Sequence, residues 1–248
     1  MSSPGRFIRL ALVFFPLGLI ITSILSFGIW WQKRQAVDER SFAHASALRR
    51  DMTEMALARY ADILREELQR AGAARLAAVA SYMDSSMSPE NMGFEPKRDR
   101  FFEAGQEFSN IEIELTGKQR PREVRLVLLM YGEVAHLHEE VQAIAGGMSL
   151  FHSIAGERGE ATLRLAAVPL GVRDENQMTA LQRLAAASAE RQERIVCIWL
   201  LGGVAAPMVS EVRAAFRAEQ TGVVIESLPA TQDVSATLKQ MRELKAAF

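Results

Sequence analysis

Residues 121–133 read PREVRLVLLMYGE. The middle of this stretch is apolar except for one arginine, it is rich in β-branched and aliphatic residues, and a glycine closes it. This composition predicts a buried central strand of an α/β sheet. Functional groups of α/β proteins gather beyond the carboxyl ends of such strands. We therefore expect Met130, Tyr131, Gly132 and Glu133 to border any functional site.

The composition of the whole chain limits the possible classes of protein. The chain has 248 residues, 49% hydrophobic side chains and a net charge of -1, which suits one globular domain with an appendage. It has no long basic run, so we do not expect it to bind nucleic acid. A single cysteine, Cys197, excludes an intramolecular disulfide and a Cys-rich zinc site. Because Cys197 lies in the apolar run IVCIWLL, we expect a buried, inert thiol rather than a nucleophile.

An uncharged segment near the amino terminus predicts a membrane anchor. Residues 10–31 carry no charge and would form a helix of about 33 Å, enough to cross a hydrocarbon core. Trp30 and Trp31 stand where an interfacial aromatic belt is expected. A cleaved signal peptide is the alternative, but its apolar region is usually shorter and no small-residue cleavage site precedes Gln32. We predict an uncleaved single-pass anchor in the cell (inner) membrane, after a tail of residues 1–9.

Two opposing effects bear on the orientation of the anchor. Basic residues flank the segment on both sides, with more of them after it, which by the charge rule favours a cytoplasmic soluble domain. A very short amino tail normally stays inside, and a large domain is translocated largely regardless of nearby charge. We predict an extracytoplasmic, periplasmic soluble domain.

The segment after the anchor has helical periodicity. Apolar residues recur at steps of three and four over residues 38–71, and no proline or glycine interrupts them before Gly72. We predict one long amphipathic helix within a stalk of residues 32–72. Its apolar face either packs on its own domain or forms a coiled coil with a partner. Protein partners are expected at the helix of residues 38–71, at the α/β head, or at both.

Residues 73–248 show alternating strand and helix patterns. A sheet formed by strands that alternate with helices of about ten residues is largely parallel or mixed and covered on both faces. We predict an α/β fold, a three-layer sandwich with a mixed, largely parallel central sheet. The predicted strands are 94–102, 108–115, 121–130, 161–168, 194–201 and 222–227, and the predicted helices are 73–83, 147–155, 176–187, 209–219 and 234–247.

The order of several short stretches resembles the di-zinc exopeptidase family, which includes aminopeptidases, glutaminyl cyclases, the transferrin receptor ectodomain and nicastrin. The stretches are RLAAVASYMDSSM, MGFEPKRDRFF, GQEFSNIEIELTGKQRPREVRLVLLMY, GGMSLFHSIA and ATLRLAAVPL. The resemblance covers residues 75–203 and extends through VRAAFRAEQTGVVIESLP. It implies a truncated exopeptidase-like domain, and the family's reaction needs two zinc ions held by His and carboxylate side chains.

The resemblance also implies that the metal ligands are lost. The family's His-x-Asp falls on Met130, Tyr131 and Gly132. Its bridging Asp falls at Ala143. The Glu-Glu pair falls on Gly171 and Val172, the last acidic ligand falls near Leu201 or Gly202, and no His follows His152. We therefore expect a pseudoenzyme with no catalytic residue, no metal and no cofactor.

Three residual groups carry reactive side chains. The sequence AHLHEE places His136, His138, Glu139 and Glu140 together, either as a metal site or, more simply, as a solvated helix start. Asp174 and Glu175 could replace the missing acidic pair if the loop were shifted. Ser149, His152 and Ser153 form a short cluster, but no Gly-x-Ser-x-Gly elbow surrounds either serine.

Three functional hypotheses follow. The first is a membrane-anchored, non-catalytic exopeptidase-like domain that serves as a binding or scaffolding subunit of a membrane complex. The second is a metal-dependent hydrolase or aminopeptidase with an atypical site built from AHLHEE, Asp174 and Glu175. The third is a structural assembly protein of a secretion- or pilus-type machine, for which we expect a four-stranded antiparallel ferredoxin-like head.

Overall fold

The computed structural model describes residues 4–70, 72–132, 137–202 and 206–247, without the side chains of residues 4–14, 16–18, 35–38 and 73. It divides into two units, Met1–Ala43 and His44–Phe248. The second unit begins well before the predicted start of the head at residue 73, because the end of the first helix, residues 44–48, and the second helix, Glu54–Leu68, belong to it.

The described part of the first unit, residues 4–43, lies within the long helix α1, Pro4–Leu48. The described apolar side chains of its middle are open to solvent, from Phe15 at 70% exposure to Trp31 at 49%. The predicted membrane span of residues 10–31 falls partly on side chains outside the described set. Among the helices that are described, none has the length and apolar character needed to cross a membrane.

The predicted continuous helix of residues 38–71 is wrong, because two helices occupy this segment. α1 ends at Leu48, and α2, Glu54–Leu68, begins after Thr53, whose hydroxyl accepts a hydrogen bond from the Ala56 amide at 3.1 Å. The apolar face of α2 is buried in the core of its own unit through Leu57, Ala61, Leu64 and Leu68. Of the two roles expected for this face, packing on its own domain is the observed one.

The remaining elements follow the predicted order with shifted ends. α4 starts ten residues before its predicted start, within the AHLHEE segment, and α6 and α7 replace one predicted helix. The helices are α3 Gly72–Ser86, α4 Leu137–Ile154, α5 Ala180–Glu190, α6 Ala206–Ala215, α7 Ala218–Thr221 and α8 Val234–Ala246. The strands are β1 Lys97–Glu103, β2 Gln106–Leu115, β3 Arg120–Tyr131, β4 Ala161–Pro169, β5 Arg194–Leu201 and β6 Val224–Ser227.

The six strands form one mixed sheet in the order β1-β2-β4-β3-β5-β6. β1 and β2 are antiparallel, β2 and β4 are antiparallel, and β4, β3, β5 and β6 are mutually parallel. The stretch that predicted a buried central strand is β3, between β4 and β5. The α/β fold with a mixed, largely parallel sheet is confirmed, and the ferredoxin-like head is excluded.

The sheet lies between two apolar layers. Alternate residues of β3 enter the two layers: Val127, Leu129 and Tyr131 join the layer formed with α2, α3, α4 and α8. Leu126, Leu128 and Met130 join the layer formed with α5 and α6. α4 lies close to β3 because it presents Gly147, where an added Cβ would come within 3.1 Å of Leu129 Cδ1. Helices thus cover both faces of the sheet.

A buried ion network holds the β2–β4 pair to the start of β5. The Arg164 side chain is 2% exposed and bonds Glu193 at 2.6 Å, Glu114 at 2.8 Å and Glu112 at 3.3 Å. Arg191 bonds two of the same carboxylates, those of Glu112 and Glu193, at 2.9 Å each. Because each carboxylate has a cationic partner, the network is compatible with burial.

Candidate functional site

The carboxyl end of β3 is fixed by two buried charged side chains. Gly132 donates its amide hydrogen to Glu140 Oε1 at 2.9 Å, and its carbonyl oxygen accepts from Arg75 Nη2 at 2.7 Å. Glu140 lies in the first turn of α4 and Arg75 in the first turn of α3, and both are under 10% exposed. These two bonds hold both peptide groups of Gly132 in place.

The backbone at Gly132 favours glycine over any other residue. Its φ is +111°, in the region that L side chains rarely adopt, and an added Cβ would lie 2.6 Å from Leu76 Cδ2. The preceding residue, Tyr131, is 1% exposed and donates its hydroxyl hydrogen to the Ser109 carbonyl at 3.2 Å. Burial, and then the Glu140 carboxylate, raise the pKa of the Tyr131 phenol. Tyr131 is therefore a core residue and not a reactive group.

The other positions picked out by the family resemblance surround the same edge. Pro169 ends β4, and the amide of Leu170 donates to the Tyr131 carbonyl at 2.8 Å, which ties the ends of β3 and β4 together. At the end of β5, a Cβ on Gly202 would come within 3.2 Å of the Ala143 Cβ in α4. Apart from Arg75 and Glu140, the side chains named at this edge are small or apolar.

A cavity of about 170 Å³ opens on the α5 and α6 side of this edge. Its apolar lining includes Met130, Leu170 and Val172, and its polar lining includes Arg173 and Glu211. Gly171 and Val172 stand at the two positions of the family's Glu-Glu pair; Val172 is buried and Gly171 is exposed. The cavity has a mixed polar and apolar lining and lies at the place where α/β proteins hold their ligands.

The AHLHEE cluster is divided between different environments. His136 lies outside the described residues, and His138 is exposed on the first turn of α4. Glu139 accepts a hydrogen bond from Gln232 Nε2 at 3.2 Å, whereas Glu140 is buried against Gly132. The three described residues do lie at a helix start, but it is not solvated throughout, because Glu140 is buried.

Asp174 has a structural role in the loop after β4. Its Oδ1 accepts from the amides of Asn176 and Met178, each at 2.9 Å, and its Oδ2 accepts from Arg183 Nη1 at 2.7 Å. Although burial acts to raise its pKa, these bonds hold the pKa of Asp174 below its usual value. Arg183 also bonds Asp99 at 2.6 Å, and Glu175 is exposed. Asp174 thus joins the loop to α5 and β1.

The serine and histidine cluster does not form a nucleophile and base pair. His152 Nε2 lies 2.9 Å from the Leu48 carbonyl, which can only accept, so this nitrogen donates. Nδ1 then accepts from the Tyr60 hydroxyl at 2.7 Å. Burial lowers the pKa of His152, although the bond to Leu48 acts to raise it. Ser153 donates instead to the Leu150 carbonyl at 2.8 Å.

Cys197 is half-buried in β5 and is not activated. Burial, and then the Glu226 carboxylate, raise the pKa of its thiol to about 11. A thiol with so high a pKa is almost wholly protonated at neutral pH and is a poor nucleophile. The expectation of an inert thiol agrees with these surroundings.

Sequence reasoning missed the residues that shape this edge. Arg75 lies in a stretch that predicted a helix and carried part of the family resemblance, and its contact with Gly132 joins residues far apart in the chain. Glu140 was considered as a metal ligand, but it bonds a backbone amide. Within residues 4–70, 72–132, 137–202 and 206–247, no group of three or more His, Cys, Asp or Glu side chains is arranged to hold a metal ion.

No protein-family model and no curated protein sequence matches the chain. Solved structures do match it. The Fimbriiglobus ruber glutaminyl cyclase has a TM-score of 0.56 at 12% identity, over 79% of this chain and 93% of the cyclase. A Zn-dependent exopeptidase from Bacteroides vulgatus has a TM-score of 0.55 at 7% identity, over 80% of this chain and 96% of the exopeptidase. The head therefore has the fold shared by glutaminyl cyclases and Zn-dependent exopeptidases.

Proposed function

We propose that the head is a pseudoenzyme with the exopeptidase-like fold. It has no catalytic activity and serves as a binding or scaffolding subunit for a protein partner at a membrane. The proposal rests chiefly on Gly132, where the family pattern needs a carboxylate ligand. At a φ of +111°, with Glu140 and Arg75 bonded to its peptide groups, this position is strained for aspartate and crowded by Leu76.

The side chains at the other family positions support the same proposal. A zinc ion in a peptidase is bound by imidazole and carboxylate groups that converge from several strand ends. Met130 offers a thioether, Tyr131 is in the core, and Ala143 meets Gly202. These residues do not fit a di-zinc centre, so we derive no reaction step through a metal. Small and apolar groups here also remove the need to compensate buried charge.

The atypical hydrolase is the competing hypothesis, and activity assays separate the two. Purified full-length chain is tested with added zinc for release of amino acids from peptides and for cyclisation of amino-terminal glutamine. We expect no turnover above a buffer control containing zinc. Turnover that is lost in a His136→Ala/His138→Ala variant would support the hydrolase and refute our proposal.

We propose that α1 attaches the head to a membrane. The large apolar side chains described between Phe15 and Trp31 are 49–70% exposed, and a large exposed apolar surface marks a membrane or protein contact. After expression in bacteria, we expect the chain to stay in the membrane fraction in alkaline carbonate and to dissolve in detergent. Protease added to intact spheroplasts should degrade the head, because we propose an extracytoplasmic location. Release by carbonate would refute the attachment, and protection of the head would refute the location.

The partner is sought by purification in mild detergent. Because α2 belongs to the core of the head, the informative truncation removes Met1–Ala43 and leaves α2 in place. We expect one defined protein to co-purify with the full chain. Its retention by the truncated chain assigns binding to the head, and its loss assigns binding to α1. If both preparations contain only this chain, the scaffolding role is wrong.

A further inference from the structure

A pocket of about 260 Å³ lies at the opposite end of α4 from the site described above. Glu140 at the start of α4 bonds Gly132, whereas His152 near its end lines the pocket. Twelve residues of helix separate these two side chains, a distance of about 18 Å. The pocket and the carboxyl edge of the sheet are therefore separate features. We call it the basic pocket; its charged and polar lining includes Arg50, Arg59, Tyr60, Tyr82, Asn91 and His152.

The basic pocket has two cations and, among its described lining residues, no acid. Nearby arginines on the same segments are paired: Arg49 bonds Glu157 at 3.1 Å, and Arg65 bonds Asp62 at 2.7 Å. Within the described part of the chain, no carboxylate lies within salt-bridge distance of Arg50 or Arg59. Two guanidinium groups beside one concave surface favour an oxyanion, which they can bind with paired hydrogen bonds.

The other residues that line the pocket are uncharged and can surround a bound anion. Burial raises the pKa of Tyr60 to about 12, and burial also raises the pKa of Tyr82, so both phenols stay uncharged at neutral pH. The Tyr60 hydroxyl hydrogen is donated to His152, so a bound anion would take its hydrogen bonds from the arginines. Ala56 and Ile63 supply an apolar wall. The volume is below that of pockets for drug-sized ligands, so the ligand is small.

We propose that the basic pocket binds a small phosphomonoester. The two arginines supply two positive charges, which match the charge of nearly -2 on a phosphomonoester at neutral pH. The phosphoryl oxygens lie against Arg50 and Arg59, and the ester group lies against the Tyr60 ring and Ile63. The same phosphoryl chemistry occurs in a soluble ester and in the headgroup of phosphatidic acid.

Calorimetric titration of the full-length chain with phenyl phosphate tests the proposal. The measurements are made in detergent at constant ionic strength, for wild type and for an Arg50→Gln/Arg59→Gln variant. We expect the variant to bind at least about tenfold more weakly, because charge-assisted hydrogen bonds are lost. The matched control is Arg122→Gln/Arg213→Gln, which removes the same charge from two other exposed arginines and should bind like wild type. Both variants should unfold at the wild-type temperature.

A second titration uses a short-chain phosphatidic acid below its micelle concentration. Binding that requires Arg50 and Arg59 supports the proposal with either ligand. Tighter binding of phenyl phosphate identifies a soluble ester, and tighter binding of phosphatidic acid identifies a lipid headgroup. Equal binding of both ligands by wild type and by the Arg50→Gln/Arg59→Gln variant, or no binding by wild type at millimolar concentration, would overturn the proposal.

Discussion

Replacing Gly132 by alanine tests the backbone argument at the end of β3. The residue has a φ of +111°, and a Cβ would meet Leu76 Cδ2 at 2.6 Å. Backbone strain of this kind is worth about 1–3 kcal/mol, and the contact adds to it because Leu76 must move. We expect Gly132→Ala to lower the free energy of unfolding by roughly 2–3 kcal/mol.

Gly171→Ala is the matched control, because Gly171 also has a positive φ, +72°, but a Cβ there would meet nothing within 4 Å. Its expected loss is about 1 kcal/mol. For a domain of this size, each kcal/mol shifts the melting temperature by about 2–4 °C, so Gly132→Ala should melt roughly 2–8 °C below Gly171→Ala. Scanning calorimetry of both variants measures the difference. Equal melting temperatures would show that a Cβ at position 132 destabilises the fold no more than one at position 171, and would refute the argument.

Three further predictions concern buried polar groups. Arg164→Met should lower the stability of the folded chain by about 3–5 kcal/mol in urea denaturation, because three carboxylates lose their buried partner. Burial acts to raise the pKa values of Glu114 and Glu193, but bonds from Lys97 and Arg164 to Glu114, and from Arg164 to Glu193, hold both below normal, so wild-type stability should fall as the pH drops below about 4.5. In Arg164→Met, stability should instead rise as the pH falls from about 7 to about 5, since protonation of the carboxylates relieves their repulsion; an unchanged pH profile would contradict this. Tyr60→Phe should cost about 1–2 kcal/mol, because His152 Nδ1 loses its donor, and a stability equal to wild type would show that this bond contributes nothing.

The order of elements in the head could be predicted because hydrophobic periodicity determines it. The run at β3 predicted a central strand, since a strand covered on both faces needs apolar residues at nearly every position. The interruption between α1 and α2 was missed because residues 49–53 contain no proline or glycine. Thr53 was the available signal, as an N-cap residue before the second helix.

The candidate site was predicted less completely than the fold. The small and apolar residues at the strand ends could be read from the sequence, because strand ends can be located to within a few residues. The support of Gly132 by Arg75 and Glu140 could not be predicted, since it depends on how α3 and α4 pack against the sheet. The basic pocket could not be predicted either, because it brings together Arg50, Arg59 and His152 from three separate segments.

Zinc binding by the purified full-length chain tests the central claim most directly. The chain is equilibrated with zinc, passed through a desalting column and measured by mass spectrometry, with Gly132→Asp as a second sample that restores one ligand type. We predict less than about 0.1 zinc per chain for both, and no rise in melting temperature when zinc is added. Stoichiometric zinc in the wild-type chain, with a matching rise in melting temperature, would contradict the account of the head as a metal-free binding domain.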